Sequence, residues 1–297
     1  LRKTKTDRVD AKTIATMLLS DVDLKSYTDT AYHNEELKSL TRYRFDKVRE
    51  RAKLKQSVSR LVTILFPELE KLVPSLHIAS VYALLSEYPG AKQISEIHLT
   101  KLTNLLATAS KGRYGKDKAI QIRDAARTSI GSVMPAKFLE LKHTIKLIRE
   151  LTSEIDEIEV SIQKIMDELN PPILSIPGVG IQSAAMILAE IGDISRFKNS
   201  SSLIAFAGID PTVRQSGEFN STHNHMSKRG SPYLRHAIFL AATTCSFHNS
   251  PLNAYYKKKR DQGKHHLTAT GAVARKLTTV IYAVLRDSKP YEPKKFC

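Results

Sequence analysis

The stretch FLELKHTIKLIRELTSEIDEIEVSIQKIMDEL, residues 138–169, decides the fold. Its apolar positions Phe138, Leu141, Ile145, Ile148, Leu151, Ile155, Ile158, Ile162, Ile165 and Leu169 step by threes and fours, which makes a heptad seam with one three-residue slip at Leu151. Pro171-Pro172 stops the helix. A seam this narrow needs a partner, and one lies upstream: Asn34 reads as the N-cap of a second long helix in which Leu37, Leu40, Arg44, Val48, Arg51, Val58, Leu61, Val62 and Leu65 follow to Pro67, with a heavily basic interior of Arg42, Arg44, Lys47, Arg49, Arg51, Lys53, Lys55 and Arg60. Helices near 34–66 and 136–169 are expected to pair as an antiparallel coiled-coil stalk with short helices at its tip; an ordinary helical bundle is the alternative.

Outward from the stalk, helical patterns occupy Ser75–Glu87, Ser95–Ala109 and Lys116–Ile130, separated by Pro89-Gly90 and by Lys111-Gly112-Arg113-Tyr114-Gly115. Another runs from Asp10 to about Leu19. After Pro172 come short helices near Ile181–Ile191, Ser200–Ala207, Pro232–Phe247, Leu252–Arg260 and Thr268–Arg286. A polar loop from Gly208 to Gly230 interrupts them, and loops of that length in a compact domain usually carry function. The fold class is therefore mainly α.

Forty-six Lys and Arg against thirty Asp and Glu give a net charge of +16, which points to a polyanionic partner such as nucleic acid. Residues 171–297 hold 17 basic and 7 acidic groups, so the last third is the electropositive part. No run approaches the roughly 20 apolar residues of a membrane span, so no membrane partner is expected. Cys245 and Cys297 have neither disulfide-framework nor zinc-ribbon spacing, and a reducing cytoplasm is the expected setting. The chain starts at Leu1 rather than Met and reads as cut from something longer.

Three places carry candidate chemistry. Ile176-Pro177-Gly178-Val179-Gly180, before the apolar helix at Ala184–Ala189, reads as the turn of a helix-hairpin-helix, whose backbone N–H groups approach DNA phosphates; a structural Pro-Gly turn is the alternative. Asp7 and Asp10, three apart at a helix start, suit a hard divalent cation, although acids are common in first helical turns. Arg214-Gln215-Ser216-Gly217, with Ser227-Lys228-Arg229-Gly230 beyond it, offers an accessible serine near cations, as a phosphoryl-transfer nucleophile requires; Ser-Gly is also an everyday turn. Ser221 and Ser227 are close neighbours. Arg235 and the run Lys257–Arg260 add cations that could face phosphate or simply solvent.

Taken in order, Lys5-Thr6-Asp7-Arg8-Val9-Asp10-Ala11, Ile176–Gly180, Ala189-Glu190-Ile191-Gly192-Asp193, Arg196-Phe197, Phe206–Pro211, Gln215-Ser216-Gly217 and Ser227–Gly230 resemble the transposases of the IS110 insertion-sequence family, over essentially the whole chain. The resemblance implies three regions: residues 1–30 as the C-terminal end of a RuvC-like α/β domain, 31–170 as a helical coiled-coil linker, and 171–297 as a transposase domain. It also implies a composite site, with four acids binding Mg2+ and a serine attacking the scissile phosphate. Asp7 and Asp10 correspond to the third and fourth acids and Ser216 to the serine, while the first two acids would precede Leu1. Gly178, Val179, Gly180, Arg214, Gln215, Gly217, Lys228, Arg229 and Arg235 are the expected DNA contacts. The implied partners are target and donor DNA, a structured guide RNA from the same element, and further copies of the chain as a dimer or tetramer, acting at the bacterial nucleoid. A catalytically inactive remnant that only binds nucleic acid is the alternative.

Overall fold

A computed structural model describes residues 11, 12, 15, 16, 19, 32–212, 215, 216, 219, 220, 225–248 and 250–293. The chain divides into two units, Leu1–Tyr32 and His33–Cys297. In the first, Ala11, Lys12, Ala15, Thr16 and Leu19 are helical, within the segment expected from Asp10 to Leu19.

Among the described residues of the second unit the regular elements are helices and one short hairpin. Helix α1 (Tyr32–Leu65) leads to α2 (Leu69–Leu72), α3 (Ala79–Glu87), α4 (Ala91–Glu96), α5 (Leu99–Ala109) and α6 (Lys116–Arg127), and α7 (Pro135–Leu169) returns. After a 3-10 turn at Pro172–Ser175 come α8 (Ile181–Ile191), α9 (Ser200–Ala207), β1 (Gln215–Ser216), β2 (Phe219–Asn220), α10 (Pro232–His248), α11 (Ser250–Asp261) and α12 (His266–Asp287). The pattern expected at Ser95–Ala109 is two helices, because Ile97 and His98 turn extended (ψ 142° and 133°). The helix expected from Ser75 starts at Ala79, since the Ser75 hydroxyl accepts the His77 N–H and holds a turn there.

Two cores lie in the second unit. One gathers the C-terminal half of α1 (Val58, Leu61, Leu65), the short helices of the tip, and Leu141, Ile145 and Ile148 of α7. The other gathers Leu37 of α1, Ile158, Ile162 and Ile165 of α7, and the helices after Pro172. Between them the seam is one-sided. Helix α7 buries Leu151 and Ile155, but α1 buries no residue between Thr41 and Val58. Instead Arg44 reaches Glu159 (2.5 Å), Lys47 reaches Glu154 (2.6 Å) and Arg51 donates to Thr152 (3.2 Å). The α1 numbers rise while the α7 numbers fall, so the two helices run antiparallel. The basic residues read in the interior of α1 line this part of the pair, so ion pairs stand where a two-sided apolar seam would put knobs in holes.

Candidate active site: a zipped serine arm and its supports

The Gly208–Gly230 segment is a two-legged arm rather than an irregular loop. Its legs are tied by backbone bonds: Ser231 N–H to Phe206 O (2.9 Å), Lys228 N–H to Gly208 O (2.9 Å), Ser227 N–H to Asp210 O (2.9 Å) and Thr212 N–H to His225 O (2.7 Å). Pro211 and Met226 form an antiparallel bridge. Farther out, β1 pairs with β2, Gln215 opposite Asn220 and Ser216 opposite Phe219. Ser216 therefore sits in the first strand of a hairpin carried by the arm.

The root of the arm requires glycine. A Cβ on Gly230 would collide with the Phe206 carbonyl oxygen, so only glycine lets the two legs meet there. Beside it Lys228 holds φ +53°, an uncommon conformation for a side-chain-bearing residue.

Helix α10 starts at this root and is fixed by a buried network. The Glu190 side chain is 2% exposed and accepts from Arg42 Nε (2.6 Å) and Nη2 (3.0 Å) and from Ser231 Oγ (2.7 Å). Ser231 Oγ in turn accepts the Leu234 N–H, capping α10. Burial pushes the Glu190 carboxyl up, but the hydrogen bonds from Arg42 and Ser231 outweigh it and hold the group below its ordinary value. Arg42 also lies 4.7 Å over the Tyr233 ring, and Phe45 meets Tyr233 edge-on at 5.1 Å. Helix α1 thereby sets the start of α10 and the outgoing leg of the arm.

The expected site residues fall into distinct groups. Lys228 and Arg229 are exposed at the arm root. Arg235 spends one guanidinium nitrogen on the Ala207 carbonyl (3.2 Å), so it braces the root as well as adding charge. Of the three neighbouring serines, Ser227 is engaged, its Oγ donating to the Asp210 carboxylate (2.5 Å). Asp7, Asp10, Arg214, Gly217 and Ser221 lie outside the described residues, and for Gln215 and Ser216 the backbone alone is described. Among the described residues no cluster of three His, Cys, Asp or Glu is placed to hold a metal.

The turn before α8 departs from expectation in two ways. The element ahead of it is the four-residue 3-10 turn Pro172–Ser175 rather than a full helix: the Ile176 N–H returns to Ile173 O and the backbone turns extended at Ile176 (ψ 114°). Val179, expected at DNA, is 6% exposed, and its N–H bonds the Ile176 carbonyl. Gly178 holds φ +93°, and its Cβ would stand 2.8 Å from the Cys245 backbone, so its glycine serves close packing on α10. Gly180 is exposed with open space around it. Arg196, part of a resembling motif but not among the expected DNA contacts, is exposed and stacked 4.6 Å from the Phe206 ring and 4.8 Å from Phe197. Its neighbour Phe197 and the residues Phe206-Ala207-Gly208 were its only signal.

Residues 170–257 match the Transposase IS116/IS110/IS902 family, and residues 1–67 match a DEDD-type IS110 transposase family. The chain is 28% identical over 298 residues to an uncharacterised protein of insertion element IS110 from Streptomyces coelicolor, covering 98% of this chain and 73% of the relative. It is 28% identical to the corresponding protein of insertion element IS116 from Streptomyces clavuligerus, covering 97% and 73%. A pilin gene-inverting protein of Moraxella bovis is 30% identical over 215 residues, 71% of this chain and 66% of the relative.

Proposed function

The chain belongs to the IS116/IS110/IS902 family of transposases, enzymes that act on DNA, and from that premise we propose that Ser216 is the nucleophile that cuts the DNA strand. In this reading the Ser216 Oγ forms a bond to the scissile phosphorus. The bond from phosphorus to the leaving deoxyribose oxygen breaks, and that oxygen takes up a proton while the serine hydroxyl gives one to solvent or a base. The exposed Lys228 and Arg229 at the arm root, with Arg214 beside the serine in sequence, would offset charge on the five-coordinate phosphate. The observation that carries the reading is the zipped arm: its legs place a two-residue hairpin bearing Ser216 beyond a glycine-closed root, while Ser227 is committed to Asp210.

Asp7 and Asp10 offer hard oxygen donors suited to Mg2+, and two further acids would complete the set. A bound divalent cation would neutralise charge at the scissile phosphate. The Moraxella relative's name, pilin gene-inverting protein, fits recombination between two DNA sites, so exchange as well as cleavage is proposed. Guidance by an RNA from the same element, assembly as a dimer or tetramer, and action at the bacterial nucleoid complete the reading. The basic surface supports it, and among the described residues no helix is long and apolar enough to cross a membrane. Residues 1–30, 31–170 and 171–297 are proposed as its RuvC-like, coiled-coil and transposase regions, with Gly180, exposed at the start of α8, meeting the DNA backbone.

The test is a denaturing gel of the full-length protein incubated with Mg2+, element RNA and matching DNA. A covalent protein–DNA adduct that vanishes in Ser216→Ala is expected. An adduct of undiminished yield in that variant removes Ser216 from the mechanism.

A further inference from the structure

Far from the serine arm along the chain, the tip carries a cavity of about 600 Å³ that nothing in the cleavage reading uses. The N-terminus of α3 forms one wall. Its first intrahelical bond runs from Tyr82 N–H to Ile78 O, so the N–H groups of Ala79, Ser80 and Val81 precede the ladder, and no side chain caps them. The opposite wall is the loop after α5, with Ser110, Lys111, Arg113 and Tyr114. Lys111 and Arg113 are exposed, and no carboxylate lines the cavity. The negative end of α5 is muted there: Ser110, Lys111 and Gly112 return their N–H groups to the carbonyls of Leu106, Thr108 and Ala107.

One further observation points to a ligand. Ser80 lines this cavity, is 2% exposed, and its hydroxyl makes no hydrogen bond with any described residue. Because Ser80 is buried yet lines the cavity, its unpaired hydroxyl is open to whatever fills that space, water or a ligand. A free hydroxyl, uncapped helix N–H groups and two cations, with no acid among them, together make a receptor for a phosphate group.

We infer that the tip cavity between Ser80, Lys111 and Arg113 binds a phosphate group, supplied either by a nucleic-acid backbone or by a small phosphorylated molecule. The cavity has room for a phosphate and an attached sugar. The site would hold a ligand at the end of the helix pair remote in the fold from the core that carries α8–α12.

The experiment measures the rise in Tm of the full chain on exchanging chloride for inorganic phosphate at constant ionic strength, as binding to the folded state requires. Ser80→Ala is expected to leave Tm in chloride nearly unchanged, since the hydroxyl pairs with no protein group, yet to weaken phosphate binding about three- to tenfold. Lys111→Glu with Arg113→Glu should erase the phosphate-specific part of the rise, while Lys92→Glu with Lys142→Glu, the same charge change elsewhere, keeps it. An equal phosphate-dependent rise in all four proteins overturns the inference. Anisotropy with a fluorescent uridine decanucleotide then separates the sources. Affinity lost in the Ser80 and Lys111/Arg113 variants assigns the phosphate to a nucleic-acid backbone, whereas unchanged oligonucleotide affinity beside a lost phosphate effect assigns it to a small phosphorylated ligand.

Discussion

Arg42 on the first long helix clasps both carboxylate oxygens of Glu190, 148 residues later, at 2.6 and 3.0 Å. Glu190 passes the restraint to Ser231, and Ser231 caps the helix that leaves the serine arm. Arg42→Ala strands a carboxylate that is 2% exposed. A fully buried pair so broken costs roughly 3–5 kcal/mol, but Arg42 keeps 41% of its side chain exposed, so about 2 kcal/mol is expected in urea unfolding. Glu190→Gln, which keeps a hydrogen-bonding shape, should cost less.

Gly230→Ala forces a Cβ against the Phe206 carbonyl. Overpacking of this kind costs about 1–3 kcal/mol, enough to open the root roughly ten- to a hundredfold more often. Amide exchange at Ser227, Lys228 and Ser231 should accelerate by that factor while the helices around Ile145 stay protected. Unchanged exchange at those three amides would mean that the legs are not held by this contact.

The helix pair is held by its cores more than by its ionic waist. Ile162→Ala, fully buried, is expected to cost about 2–5 kcal/mol. Arg44→Ala, which removes a half-exposed ion pair with Glu159, should cost no more than about 1 kcal/mol and less in high salt. Thermal unfolding of the two variants at low and high salt checks the order.

Acid should act in two stages. Burial, with help from Lys55, holds His77 below its ordinary 6.5, so the folded state binds fewer protons and stability declines as pH falls below 6.5. The Glu190 carboxyl is lower when folded than its ordinary 4.5, so its contribution is complete above 4.5 and is lost as pH falls through the folded value. A Tm series from pH 7.5 to 3.5 should show a shallow fall, then a steeper one. Glu190→Gln should shrink the second and keep the first, the remainder coming from Glu68, where burial raises the carboxyl but hydrogen bonds from Ser129 and the Ile130 N–H outweigh it.

Local chemistry made most helices legible. The ends of α7, α8 and α9 follow Pro135, Pro171, Gly180, Asn199 and Gly208, which act through neighbouring backbone alone. The arm was not legible, because its legs have no alternating apolar pattern and are joined by backbone bonds across up to about twenty-five residues. The Arg42–Glu190 pair and the partners of the basic α1 interior were hidden for the same reason: sequence spacing carries no sign of which distant charge an Arg will meet. Val179 shows the opposite error, a motif position read as a contact whose side chain and N–H both turn inward.

The central claim concerns one oxygen atom, and peptide mapping of the covalent adduct reads it directly. Trypsin would release Gln215–Lys228, which contains Ser216, Ser221 and Ser227, and fragment ions locate the attached nucleotide within it. Nucleotide mass on Ser216, retained in Ser227→Ala, is the predicted result. Mass on Ser221, Ser227 or any residue outside this peptide would contradict it.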